Sequence, residues 1–385
     1  MTQHGASGPR AGDHAVDEPA ADEGAAQEPG FARLDADDIT PVGVRSSEHA
    51  EEPAADAAPR LRTLPMAKAI NEGLRRAMRE SSRVIQMGED IGTLGGVFRV
   101  TDGLKAEFGE ERVLDTPLAE AGIVGSAIGL AMRGFRPVCE IQFDGFVFPA
   151  FNQITTQLAR LQNRYAGSLG GMPVVIRIPY GGHIGAIEHH QESPEAYFAH
   201  TPGLRVVSPS TPNDAYWMIQ QAIASADPIV FMEPKSRYWH KGEVDTARAP
   251  GPLHASRIAR EGSDVTVVGH GAMTTMLLQA AALAEQEGVS LEVVDLRSIS
   301  PIDFGPLLES VRKTGRVVIA QEASGSFSVG SELAAHLAER AFFSLEAPPM
   351  RVSGLDVPFP PAKLESTFLP DVDRILESVD RVLEY

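Results

Sequence analysis

From about residue 63 onward, apolar positions alternate between helical and extended spacing. Met66, Ile70, Leu74, Ala77 and Met78 recur at helical intervals and predict a helix over Leu64–Glu80, with Thr63 as its cap. RVIQMG at 83–88 has the length and apolarity of a buried strand, and a helix is expected near Gly103–Phe108. A strand at Val113–Leu114 then runs through a proline turn into a helix carrying Ala121, Gly122, Gly125, Ser126, Ala127 and Gly129. Small residues let a second backbone approach closely, so an interface helix is the natural use of that face. RPVCEIQF predicts a strand, 151–165 a helix, PVVIRIP a strand, Asp214–Ala226 a helix and PIVFMEP a strand. Strands alternating with helices imply a parallel, doubly wound α/β sheet.

Around 241–262 the pattern becomes irregular and rich in Pro, Gly and Arg, as a linker would be. It then restarts with strand DVTVVGHG, helix Ala272–Glu287, strand SLEVVDLRSI, helix Asp303–Lys313, strand RVVIAQEA and helix Ser328–Ala341. The expected organisation is an α/β domain over 61–240, a linker over 241–262 and a smaller α/β domain over 263–385.

The first sixty residues break this picture. They hold 13 Asp and Glu against 4 Arg and no Lys, half of the chain's net charge of −18. Rich in Ala, Asp, Glu, Gly and Pro, they have too little apolar surface to fold, and residues 1–60 are expected to be a disordered acidic tail. No basic patch points to nucleic acid, and no apolar run has the length of a membrane span. The N-terminus lacks the basic start and apolar run of a signal peptide, so a cytoplasmic location is expected. The single cysteine, Cys139, lies in apolar PVCEIQF and reads as a buried thiol.

Candidate chemistry concentrates in Tyr180–Pro209, YGGHIGAIEHHQESPEAYFAHTPGLRVVSP, which follows an apolar strand. A glycine-rich loop of ionisable groups leaving a strand is where α/β enzymes place reactive groups, although a solvated polar loop reads the same way. Metal binding by His183, His189, His190 and His200 is disfavoured, because adjacent side chains on an extended chain point to opposite sides. Read from its residues alone, Glu120 is either a reactive carboxylate or a first-turn glutamate favoured by the helix dipole. Glu89 is either an active or a structural acid, and Phe146 sits among Phe143, Phe148 and Phe151 as a core aromatic would.

Seven segments in order carry a resemblance: MGEDIG (87–92), GGVFR (95–99), DTPLAEAG (115–122), EIQFDGFVFPAFNQI (140–154), the histidine loop, FMEPK (231–235) and DLRSISPID (295–303). From about Thr63 to the C-terminus the chain resembles the beta subunit of the thiamine-diphosphate-dependent decarboxylating component of 2-oxo acid dehydrogenase complexes. The resemblance implies a transketolase-like pyrimidine-binding domain followed by a transketolase-type C-terminal domain. It implies that Glu120, in the TPxxE motif, bonds N1′ of the cofactor's aminopyrimidine, favouring the protonated ring that supports removal of the thiazolium C2 proton. Glu89, Leu118, Gln142 and Phe146 would line the same pocket.

His189 matches the histidine serving decarboxylation and acyl transfer, since Gln191, Ser193, Pro194 and Glu195 align only in that register; relatives often carry a small polar residue at His190. A structural potassium ion is implied on the backbone of Met172, Val174, Val175, Ala222, Ser225 and Asp227.

The chain has no GDG motif and no Asn-Asn pair, the features that hold Mg²⁺ and the diphosphate in these enzymes. The resemblance therefore implies that an alpha subunit holds the magnesium and shares the cofactor, in an α2β2 heterotetramer that passes an acyl group to a lipoyl acyltransferase. SPEAYFAH, FMEPK and IQFDGFVFPAF look closer to the branched-chain enzymes, with a pyruvate or acetoin dehydrogenase beta subunit as the alternative. A self-sufficient transketolase-like enzyme and a non-catalytic assembly subunit are further alternatives.

Overall fold

The computed structural model describes residues 60–165 and 170–385; the acidic tail lies outside the described residues apart from Arg60. The strands are β1 (Leu61–Pro65), β2 (Val84–Gly88), β3 (Val113–Asp115), β4 (Arg136–Glu140), β5 (Val175–Tyr180), β6 (Arg205–Val207), β7 (Ile229–Pro234), β8 (Lys241–Asp245), β9 (Arg257–Arg260), β10 (Val265–Gly269), β11 (Leu291–Asp295), β12 (Ser298–Ser300), β13 (Val317–Ser324) and β14 (Met350–Gly354).

Seven strands form one sheet in the order β12-β6-β7-β5-β4-β2-β3, parallel except for β12. Five form a second in the order β14-β13-β10-β11-β9, parallel except for β9. Helices cover both sheets, which is the parallel, doubly wound α/β architecture expected. The central strands β2, β5, β7, β10 and β11 are buried along their whole length, as parallel strands covered on both faces must be.

Burial in β5 includes a charge. Arg177 donates to Glu233 on β7 at 2.6 Å and to Glu140 on β4 at 2.5 Å, and the Tyr238 hydroxyl donates to Glu233 at 2.6 Å. Burial works against the guanidinium's charge, but Glu233 and Glu140 more than offset it and raise its pKa. An arginine removed from water in this way persists only because both carboxylates are in place.

Several local expectations are corrected. The first helix begins at Met66, and Thr63 does not cap it: Thr63 lies in β1, paired with Glu243 of β8. The segment 241–262 is not wholly irregular, because β8 forms that ribbon with β1 and β9 edges the second sheet. Residues 151–165 are not one α-helix; a 3-10 turn at Asp144–Ala150 and a π-helical turn at Gln153–Leu158 precede an α-helix at Ala159–Arg164.

SLEVVDLRSI is two strands. Arg297 between them takes a left-handed backbone, φ 56°, and β12 then crosses to pair with β6 of the first sheet. Arg297 also donates to Asp214 at 3.0 Å, tying the second domain to helix Pro212–Ala224 of the first. Among the described residues, no helix is long and apolar enough to cross a membrane.

Candidate active site

Strands β3, β2, β4, β5 and β7 are neighbours and run the same way, so the segments leaving their C-terminal ends gather along one edge of the sheet. In open parallel sheets this edge is where ligands bind. Here it brings together Glu89 after β2, the Thr116–Glu120 turn after β3, Gln142–Phe146 after β4, the histidine loop after β5 and Lys235 after β7.

Glu120 opens helix Glu120–Met132, which buries Ile123, Val124, Ala127, Ile128 and Ala131 and leaves Gly122, Ser126 and Gly129 exposed. Its carboxylate has no hydrogen-bond partner among the described residues. Glu89 is buried, with Oε1 unpaired. Desolvation, followed by the like charges of Glu120 and Asp90, pushes the Glu89 carboxyl up to about 7. Two acids are thus coupled across this pocket, and one of them titrates near neutrality. Leu118 is 82% exposed on the turn before Glu120. Gln142 donates to Asp90 at 3.4 Å. Phe146 is half-buried, its ring centroid 5.9 Å from that of Phe143.

The histidine doublet divides. His190 packs edge-on against Phe143 at 4.5 Å and Phe146 at 5.1 Å, with Nδ1 3.1 Å from the Glu188 carbonyl. His189 is exposed and takes a left-handed backbone, φ 68°. Its carbonyl accepts from Gly145 N at 3.2 Å. Only glycine permits this approach, because a Cβ at 145 would lie 2.5 Å from that oxygen. The structure therefore brings Glu89 and Glu120 into electrostatic contact and joins Phe146 to the histidine loop through His190.

Two further buried groups, Lys235 and Asp144, lie beneath the loop. Lys235 is ion-paired with Asp144 and donates to the His190 carbonyl, while Asp144 accepts from Glu192 N at 2.8 Å. Burial pulls the Asp144 carboxyl up and the Lys235 ammonium down, each opposed by its partner. The strand-end lysine in FMEPK was the available signal. Glu195 is also buried with both carboxylate oxygens unpaired, His270 Nε2 standing 3.5 Å away.

Cys139 is buried and its thiol is pushed up to about 12 by desolvation, which leaves it inert as a nucleophile. Four of the six carbonyls implied for potassium already accept hydrogen bonds: Met172 from Val174 N, Val174 from Ile229 N, Ala222 from Ser225 N and Ser225 from the Arg136 guanidinium. A backbone carbonyl has two lone pairs, so these hydrogen bonds leave one on each oxygen. Among the described residues there is no group of three or more His, Cys, Asp or Glu that could hold a metal.

The family described as "Transketolase, pyrimidine binding domain" matches residues 62–240, and "Transketolase, C-terminal domain" matches 254–375. A relative from Leifsonia xyli subsp. xyli, named pyruvate dehydrogenase E1 component subunit beta, is 67% identical; the match covers 86% of this chain and 98% of that protein. A relative from Mycobacterium tuberculosis, named 3-methyl-2-oxobutanoate dehydrogenase subunit beta, is 50% identical, with 83% and 92% covered. A solved structure described as a split-gene transketolase, inactive beta4 tetramer, superimposes with a TM-score of 0.69 at 26% identity, covering 83% of this chain and 98% of that one. With both transketolase domains in order and these relatives spanning nearly their full length, the chain belongs to the beta subunits of the E1 component of 2-oxo acid dehydrogenases.

Proposed function

We propose that this chain is the beta half of a thiamine-diphosphate-dependent decarboxylase that oxidatively decarboxylates a 2-oxo acid and hands the acyl group to a lipoyl acyltransferase. The observation that carries this reading is the Glu89–Glu120 pair at the sheet edge. Glu120 is free of hydrogen bonds among the described residues, and Glu89 is buried, half-neutral near pH 7 and unpaired at Oε1. With Leu118 exposed on the turn before Glu120 and Phe146 half-buried after the neighbouring strand β4, these residues fit a flat, amine-bearing heteroaromatic ring.

When bound, the cofactor supplies a carbon nucleophile and an electron sink for decarboxylation. Glu120 holds a proton at N1′ of the ring. Glu89, near half-protonation, keeps a second full negative charge from standing beside Glu120. Phe146 and Leu118 would supply the apolar contacts that hold such a ring. His189, on the exposed side of the doublet, gives and takes a proton as the lipoyl dithiolane opens. His190, packed between Phe143 and Phe146, acts as part of the wall.

Magnesium and the diphosphate belong to an alpha partner carrying GDG and Asn-Asn, in an α2β2 heterotetramer. The exposed small-residue face of helix Glu120–Met132 supports a close subunit contact at this edge. For the acid, SPEAYFAH, FMEPK and IQFDGFVFPAF favour a branched-chain substrate such as 3-methyl-2-oxobutanoate. Pyruvate is the second reading, favoured by the name of the 67% identical relative. Steady-state turnover of the two acids by the chain co-purified with its alpha partner decides between them. Turnover of neither would overturn the proposed activity.

A further inference from the structure

The loop that carries His189 holds two non-glycine residues, His183 and His189, in the left-handed region. Gly181, His183, Gly185 and His189 all have positive φ, at 83°, 65°, 65° and 68°. Non-glycine residues in this region store strain and persist only where the surroundings over-determine them. At the loop's far end the surroundings are the first domain: Gly145 N on the His189 carbonyl, Lys235 on the His190 carbonyl and Asp144 on Glu192 N.

The near end is held from the second domain. The Glu365 carboxylate accepts from His183 N through one oxygen and from Gly185 N, at 3.2 Å, through the other. Glu322, at the end of β13, accepts from Gly182 N at 3.0 Å. Both carboxylates are largely removed from water, Glu365 at 9% exposure and Glu322 at 6%. The fit leaves no slack: a Cβ at Gly182 would lie 2.5 Å from Leu369 Cδ1 and 3.1 Å from Glu365 Oε1. Successive amides turned toward one anion form a concave nest, and hydrogen bonds to an ionised acceptor are the stronger kind.

We infer that Glu365, seconded by Glu322, is a positioning residue for His189, so that the second domain sets the geometry of the acyl-transfer loop while contributing no group to the cofactor pocket. This rests on the proposed role of His189. The loop tip carries Ile187, 67% exposed in this chain. Its two ends are anchored in different domains, so a shift of one domain on the other would re-aim His189.

The test uses the assembled complex with Glu365→Ala, Glu365→Gln, Glu322→Gln and, as a control, His189→Ala. Amide hydrogen exchange over 181–190 is read beside two rates: decarboxylation with an artificial acceptor and reductive acylation of a lipoyl domain. Glu365→Ala should speed exchange about tenfold or more, the scale of one charge-assisted hydrogen bond. It should slow reductive acylation by about as much through kcat, with KM for the 2-oxo acid nearly unchanged. Glu365→Gln keeps one acceptor oxygen and should recover part of both, which also serves should the alanine variant fail to assemble.

Unchanged exchange in both Glu365 variants overturns the clamp. Faster exchange with normal acylation overturns the positioning role if His189→Ala abolishes acylation. If His189→Ala is itself normal, the role of His189 fails while the exchange data still support the clamp.

Discussion

Glu89→Gln isolates the electrostatics of the pocket. In the folded chain the Glu89 carboxyl is pushed from its ordinary value of 4.5 up to about 7 by desolvation and by Glu120 and Asp90. The sign follows from linkage. Below pH 4.5 the group is protonated folded and unfolded and costs nothing. Between 4.5 and 7 the unfolded chain gives up its proton while the folded chain retains it, so the native state loses stability as pH rises. Above 7 the penalty is complete, at most about 3.4 kcal/mol for a shift of this size. The exposed neighbour Asp90 marks water access at this edge, and screening reduces the expected penalty to about 1.5 kcal/mol.

Glutamine keeps the shape and removes the charge, so urea unfolding of the purified chain should show the variant more stable than wild type by about that amount at pH 8. The difference should shrink to a few tenths at pH 4.5. A difference that is flat with pH, or that grows toward acid, would refute the reading of Glu89 as a desolvated acid beside Glu120.

Two further outcomes follow from the site. Glu120→Gln should leave the fold intact and slow hydrogen–deuterium exchange at the cofactor's C2 by roughly 100-fold or more in the assembled enzyme, and an unchanged exchange rate removes Glu120 from N1′. His189→Ala should cut reductive acylation of a lipoyl domain strongly, while His190→Ala, a wall residue against Phe143 and Phe146, should cost far less. Equal losses, or a larger one at His190, would mean that the doublet is read in the wrong register.

Much of the fold was legible because the central strands are covered on both faces, and such strands spell continuous apolar runs. IVFM at the start of β7 and VTVVG of β10 come nearest to this. Strands without that signature were missed. β6 has three residues, β9 is half-buried RIAR, and β12 joins the first sheet only because Arg297 turns left-handed between two strands that read as one.

The site divides in the same way. Glu120 and His189 sit in contiguous motifs, so their candidacy is legible along the chain. The perturbation of Glu89 comes first from burial in the folded chain and then from Glu120, which follows a different strand, and Asp90. The clamp of Glu365 on His183 spans 182 residues, and that of Glu322 on Gly182 spans 140. Local patterns carry no information about partners so far apart. Lys235 was visible at a strand end, but its pairing with Asp144 needs the sheet order β4-β5-β7 to place both under the loop.

The central claim is that this chain holds the proton chemistry of the site and not the diphosphate and magnesium. Isothermal titration calorimetry of thiamine diphosphate with Mg²⁺ into the purified chain, with and without a GDG- and Asn-Asn-bearing alpha subunit, tests it directly. The account predicts weak or undetectable binding to the chain alone and tight, magnesium-dependent binding once the partner is added. Tight, magnesium-dependent binding to the chain by itself would contradict it.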